Sequence, residues 1–425
     1  MSGVRSVDVI VVGGGPAGAV AGALLARAGI ETVVLARGHD GGRGGEVLLP
    51  HVAPILEEIG AAATVSGLPA TRPSGSVTYR SGDGAHGAHY RFIEALPPAL
   101  PTAIHVRRDQ FDAALLGHAR TLGAEVLEGW AAITPLWDAE RLIGATVRDP
   151  TGGEYELRAR ALLDASGQQS FLASRMGWRF PYPRHRKAAI RGAFVGVPPN
   201  PDDPAAATVF LGREGWLSVV PLADGSAAVG LVVEATAVAR HAPLADELTR
   251  LAGAVVPAAA EWLAAASPAG EFTLVQGFAH RASRLAGNGF CLVGDAAGFL
   301  DPLLYTGVLV AMAAAACAAD DIVDALSRHR RVDSVDFAPT VALTRSLHRL
   351  YFGLVRALAD PRFLAVFLAG SRPLRAHAAM VSLLAGDVLR PGLWHRALRP
   401  RLLKLAARTS LLPLARESAE RGSRR

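Results

Sequence analysis

An apolar strand, Val7–Val12, runs straight into Gly13-Gly14-Gly15-Pro16-Ala17-Gly18, and an Ala/Leu-rich stretch then continues to Gly29. Few folds accept that order. Gly13, Gly15 and Gly18 stand in the spacing G-x-G-x-x-G, where glycine permits a tight turn, close approach of a pyrophosphate and tight helix-on-strand packing. The helix start then offers unpaired N–H groups and a partial positive charge to phosphate. A second apolar strand, Thr32–Leu35, follows at the distance a βαβ unit needs. The segment predicts a nucleotide-binding α/β layer, with Gly13, Gly15, Ala17 and Gly18 at the ligand. One position departs from the usual pattern. The second strand of such a unit commonly ends on an acidic residue that grips the ribose, whereas Ala36 and Arg37 stand here and Glu31 precedes the strand. Arg37 or the backbone is expected to hold the adenosine instead.

Far along the chain, the strand Gly289–Val293 leads into Gly294–Asp295, then Ala-Ala-Gly-Phe-Leu-Asp-Pro to Pro302, then Thr306–Gly307. A dinucleotide turn near the start and a Gly-Asp turn here are the two halves of an FAD cradle. The uncharged run Leu303–Ala319 approaches the length of a membrane span. It follows the Gly-Asp turn directly, and Asp320–Asp321 close it, so it reads as a buried core helix. No transmembrane segment is expected.

Between these halves lie two β-rich stretches, so the domains are discontinuous in sequence. The expected division is FAD-binding domain in 1–75, 101–175 and 281–330, substrate-domain strands in 76–100, a β-sheet substrate domain in 176–280, and a helical C-terminal region in 331–425. A single helix, Leu244–Ala265, is expected within the substrate domain. Prolines 361, 373, 391, 400 and 413 interrupt the final helical stretch.

With 425 residues, half of them hydrophobic, the chain can bury a large core. Its two cysteines, Cys291 and Cys317, lie in apolar surroundings, which excludes a disulfide framework. No leader precedes the first strand, and a cytoplasmic location is the expectation. The formal charge of +6 rests on arginine, Lys187 and Lys404 being the only lysines. Much of the excess follows residue 340, in stretches such as Arg396–Arg408. Few aromatics are interleaved there, which argues against nucleic acid. An acidic partner, a membrane face or a plain solvated helix face remain open. No metal is expected.

These segments, in this order, resemble the flavoprotein superfamily of group A aromatic hydroxylases, flavin-dependent halogenases and geranylgeranyl reductases. The resemblance covers residues 7–320 and implies a glutathione-reductase-like (Rossmann) FAD-binding fold, with an inserted β-sheet substrate domain and a C-terminal helical extension. Val106-Arg107-Arg108-Asp109-Gln110-Phe111-Asp112 is similar to the family's V-x-R-x-x-F-D, which places a cofactor contact on Arg108. Asp164-Ala165-Ser166-Gly167 resembles the strand end that lines the nucleotide, implicating Asp164 and Gly167. Gly294–Asp295 matches the motif whose carboxylate bonds a ribityl hydroxyl. Pro302, Thr306 and Gly307 match the segment beneath the flavin pyrimidine, where a helix N-terminus would stabilise charge on the reduced ring. Gly44–Pro50 resembles the segment between flavin and substrate, which gives Glu46 a flavin-side, catalytic role. Its neighbour His51 is a candidate acid–base group.

The resemblance implies an FAD-dependent monooxygenase that uses O2 and hydroxylates an electron-rich aromatic ring through a flavin C4a-hydroperoxide. Among hydroxylases, the Arg43–Pro50 loop and the helical C-terminal extension resemble halogenase-like maturases. Those enzymes hydroxylate a tryptophan within a partner polypeptide to build a tryptophylquinone, so a Trp-bearing polypeptide is a candidate substrate. Halogenation is an alternative. Halogenases place a lysine between flavin and substrate, and residues 60–95 hold none; their W-x-W-x-I-P is matched in part by Trp216–Pro221. Alkene reduction of the geranylgeranyl type is a further alternative, though the Gly-rich loop lacks that branch's cysteine. A non-catalytic FAD-binding protein is the last. No second G-x-G-x-x-G occurs, so electrons come either from NAD(P)H visiting the flavin directly or from a separate flavin reductase.

Overall fold

The computed structural model describes residues 4–38, 44–183, 185–239, 242–328, 331–369 and 374–389. Arg43 and the basic stretch Arg396–Arg408 lie outside these. The strand Arg5–Val12 sits centrally in an eight-stranded sheet. It pairs in parallel with Thr32–Ala36 on one side and Glu154–Asp164 on the other. Glu125–Glu128 and Phe290–Leu292 extend the parallel array outward. Every residue of Thr32–Ala36 is buried, as a parallel strand covered on both faces requires. Register decides where a ligand can sit. Val12 stands opposite both Leu35 and Asp164, and Asp164 opposite Leu292. The turns after these strands therefore gather at one carboxyl-end edge, where open α/β sheets bind ligands.

Two glycines make that edge possible. Gly13 has φ of 116°, and a Cβ there would come within 2.3 Å of the Ala165 carbonyl oxygen. At Gly18 a Cβ would fall 1.8 Å from the Gly13 carbonyl oxygen, so the helix Pro16–Arg27 can approach its strand only with glycine.

A second sheet of seven strands runs in the order Ser267–Gln276, Lys187–Val195, Ser226–Glu234, Gly215–Pro221, Ala207–Leu211, Ser76–Ser81, Gly87–Arg91. All neighbours are antiparallel except Ala207–Leu211 with Ser76–Ser81. One face is covered by helices Leu244–Val255 and Pro257–Ala264. The single helix expected over Leu244–Ala265 is thus two. Val256, at φ −142° and ψ 68°, leaves the helical region because the ring of Pro257 crowds the residue before it. The other face looks toward the cleft and the C-terminal helices.

The uncharged run does form a buried helix, Gly307–Arg328, packed on Pro16–Arg27. No described helix is long and apolar enough to cross a membrane. Helices Ala338–Leu358, Pro361–Leu368 and Leu374–Leu384 follow. They are bolted to the earlier chain: the Tyr90 hydroxyl donates to the Phe367 carbonyl at 2.7 Å, and the Leu96 amide to Ser382 Oγ at 2.9 Å.

Candidate active site

The carboxyl-end edge of the parallel sheet opens into a cleft of about 770 Å3 whose far wall is the seven-stranded sheet. Gly13, Gly15 and Ala17 line its floor, whereas Gly18 lies behind them as the packing contact just described. At one end Arg37 faces the Gln169 side-chain carbonyl, with Nη1 at 3.1 Å once the amide is turned to present its oxygen. Gly167 borders the same end. Asp164 does not line the cleft. Fully buried, it accepts from the Ser166 amide (3.1 Å), the Ser166 hydroxyl (2.5 Å) and the Leu172 amide (2.7 Å), and so shapes the turn that carries Gly167. Burial pushes its carboxyl above the usual range, and the Ser166 and Leu172 donors oppose that.

Gly294 and Asp295 enter from the turn after Phe290–Leu292, and Pro302 and Gly307 close that side. The helix beginning at Gly307 has no acidic residue in its first turn. Thr306 is not among the lining residues; its carbonyl accepts from the Val310 amide at 2.9 Å.

Glu46 and Arg108 meet because Gly45–Leu48 pairs antiparallel with Ala103–Arg107, and the helix Arg108–Thr121 starts where that pairing ends. Arg108 grips Asp112 with two bonds of 3.0 Å and reaches Glu46 at 3.4 Å. Burial acts to lower the guanidinium pKa, yet Asp112 and Glu46 outweigh it and hold the charge firmly. For Glu46 burial wins. Its carboxyl is pushed up, with Arg108 and Arg191 only partly offsetting. His51 is turned away from the cleft. Its amide donates to the Ala385 carbonyl at 3.1 Å, and Nε2 lies 3.6 Å from the fully buried carboxylate of Asp387. The turn after the last described helix therefore claims this histidine.

Two residues of the site, and one just behind it, were not singled out from the sequence. Arg191, on Lys187–Val195, brings a cation to the cleft from the sheet wall. Tyr305 has φ of 54°, a strained value for a bulky residue. It lines the cleft with its hydroxyl buried beside Ser218, lacking a well-formed hydrogen bond. Asp301 sits just outside. Its Oδ1 accepts from Trp216 Nε1 (3.0 Å) and the Leu303 amide (3.1 Å), and its Oδ2 from His185 (3.0 Å), with Lys187 Nζ at 3.8 Å. Lys187, the only lysine among the described residues, is thereby engaged outside the cleft.

The shape fits a dinucleotide. Nothing lies within 4 Å of where a side chain on Gly15 or Gly167 would begin, so bare backbone faces the space. The helix Pro16–Arg27 has neither an acidic residue in its first turn nor a side-chain cap, leaving its N–H groups for a phosphate. The sequence profile of the FAD binding domain family matches residues 6–337. The chain belongs to that family. It is 32% identical over 337 residues to the tryptophan 2-halogenase of Chondromyces crocatus, an alignment covering 75% of this chain and 61% of that enzyme. It thus spans about three fifths of that relative's length. A flavoprotein/dehydrogenase from Cytophaga hutchinsonii has the same fold, with a TM-score of 0.84 at 23% identity over 96% of this chain and 99% of that one. The myxobacterial chondrochloren halogenase superposes with a TM-score of 0.77 at 26% identity, covering 92% of each chain. The protein is an FAD-dependent oxidoreductase of the monooxygenase type. The curated relatives that match by sequence are named as halogenases, which fits halogenation better than the hydroxylation expected first.

Proposed function

We propose that this enzyme halogenates an electron-rich aromatic ring, using FAD, O2, a halide and reducing equivalents from NAD(P)H or a separate flavin reductase. The observation that carries this is the similarity to halogenases, which extends over three quarters or more of the chain, beside a cleft lined by Gly13, Gly15 and Asp295. Bound FAD, when reduced, would supply an electrophilic oxygen from O2; the protein's part is positioning and electrostatics. Gly13, Gly15 and the N–H groups at Pro16–Arg27 would hold the pyrophosphate, and Asp295 would accept from the sugar hydroxyls. The N-terminus at Gly307 would stabilise negative charge on the reduced ring. Glu46, raised above an ordinary glutamate by burial, can take up and release a proton at Oε2 beside Arg108. Arg191 presents a cation to the substrate from the sheet side, and the ring of Tyr305 adds to the cleft wall.

Hydroxylation stands as a second reading on one specific observation: residues 60–95 contain no lysine, and Lys187 is engaged by Asp301. A Trp side chain within a partner polypeptide remains a candidate substrate under it. Purified enzyme supplied with FAD, a flavin reductase, NADH and bromide is tested on indole, pyrrole and phenol substrates by mass spectrometry. The bromine isotope doublet supports halogenation, and a single added oxygen without it assigns hydroxylation. NADH consumption that yields only peroxide with every substrate sinks both.

A further inference from the structure

Helix Ala338–Leu358 carries Arg345, Arg349 and Arg356, all exposed, and no acidic residue. At roughly 100° per residue these three and Phe352 fall within a sector of about 60°. Tyr182 meets Phe352 edge-on at 6.1 Å, and the Arg356 guanidinium lies over the Tyr182 ring at 5.9 Å. Two residues before Tyr182, the exposed ring of Phe180 carries Arg281 at 5.8 Å, its cross-strand partner. The result is a continuous strip of four arginines. Several exposed arginines elsewhere meet carboxylates, as in Arg5–Glu125, Arg107–Asp109, Arg120–Glu128 and Arg148–Glu154. Others, such as Arg213 and Arg362, have no ion pair among the described residues but are not gathered on one face with aromatic rings. The four of the strip have no ion pair among the described residues. The strip adjoins the cleft: Arg281 pairs with Gly298 and His280 with the cleft-lining Phe299. On the same helix, His348 Cε1 lies 3.3 Å from where a Gly298 side chain would start.

We infer that this strip docks an acidic protein beside the flavin cleft. Arg345 to Arg356 spans about 16 Å of helix, and planar guanidiniums in that spacing suit carboxylates presented along a helix. Single-stranded nucleic acid would seek free stacking faces, and Tyr182 is already covered by Phe352 and Arg356; a duplex, held through its phosphates, is separated by the experiment below. A membrane would need a broader apolar band than the ring of Phe180 provides. Docking does not depend on which product the cleft makes.

Binding to the oxidised, FAD-loaded full chain is measured by fluorescence anisotropy with a fluorescein-labelled, glutamate-rich helical peptide. Labelled duplex DNA and phosphatidylglycerol vesicles are run in parallel. The variants are Arg345→Glu/Arg349→Glu/Arg356→Glu, Arg281→Glu, and Arg148→Glu as a control elsewhere on the surface, each checked for flavin content and melting temperature. The expected result is peptide affinity that falls about tenfold or more in the triple variant, falls in Arg281→Glu, is unchanged in Arg148→Glu and weakens with salt. Absence of peptide binding by the parent protein, an equal loss in the control, or tighter binding of DNA or vesicles through the same arginines would overturn the proposal.

Discussion

Asp295 reaches the cleft from a tight turn whose backbone is fixed by the neighbouring strand, so Asp295→Ala changes what the cleft can hold without dismantling its wall. Loss of a charge-assisted hydrogen-bond pair should weaken FAD by about 1.5–3 kcal/mol. The purified variant should therefore be pale, with flavin content read by absorbance and an unchanged circular dichroism spectrum; a fully yellow variant would remove Asp295 from the site. Tyr305 is the opposite case, a polar group held where it lacks a good partner. Tyr305→Phe deletes a buried hydroxyl and should raise stability by about 1 kcal/mol. A fall in melting temperature would mean that the hydroxyl is bonded after all.

At the scale of elements, the site is a junction between a short strand and a helix start. Glu46 and Arg108 are 62 residues apart and meet only because two strands pair. Burial raises the folded pKa of Glu46 above its ordinary 4.5. The associated stabilisation is present below pH 4.5 and is lost as pH rises through the folded value. Glu46→Gln should flatten that decline, measured as urea midpoints against pH; parallel profiles for the two proteins would refute it. Local patterns were readable from the sequence because local rules govern them: strand, glycine turn and helix at 7–29, and the uncharged run after Pro302. The break before Pro257 was missed although its cause is local, because apolar periodicity continues across it. Arg191 and Tyr305 were illegible for a different reason. Each owes its place to long-range strand order or to a backbone angle that side-chain identity disfavours. His51 was read beside Glu46 in sequence, but the chain leaves the strand Gly45–Leu48 for the 3-10 turn Pro50–Val52, and His51 packs toward Ala385 and Asp387 instead.

On the scale of the whole molecule, the described C-terminal helices close the core beside the seven-stranded sheet. Phe367 meets Tyr79 edge-on at 4.9 Å and Tyr90 at 5.3 Å and is fully buried. Phe367→Ala should cost about 3–5 kcal/mol, seen by denaturant titration, while the folded fraction keeps its flavin. A cost near zero would mean that these helices pack loosely. Asp301 links the two layers more directly. One hidden carboxylate is fastened to the Trp216 indole of the seven-stranded sheet through one oxygen and stands immediately before the proline that lines the cleft. Changes that reshape the wall to admit a new aromatic guest will be felt at the redox centre, so selectivity and electron transfer in this enzyme should drift together rather than separately.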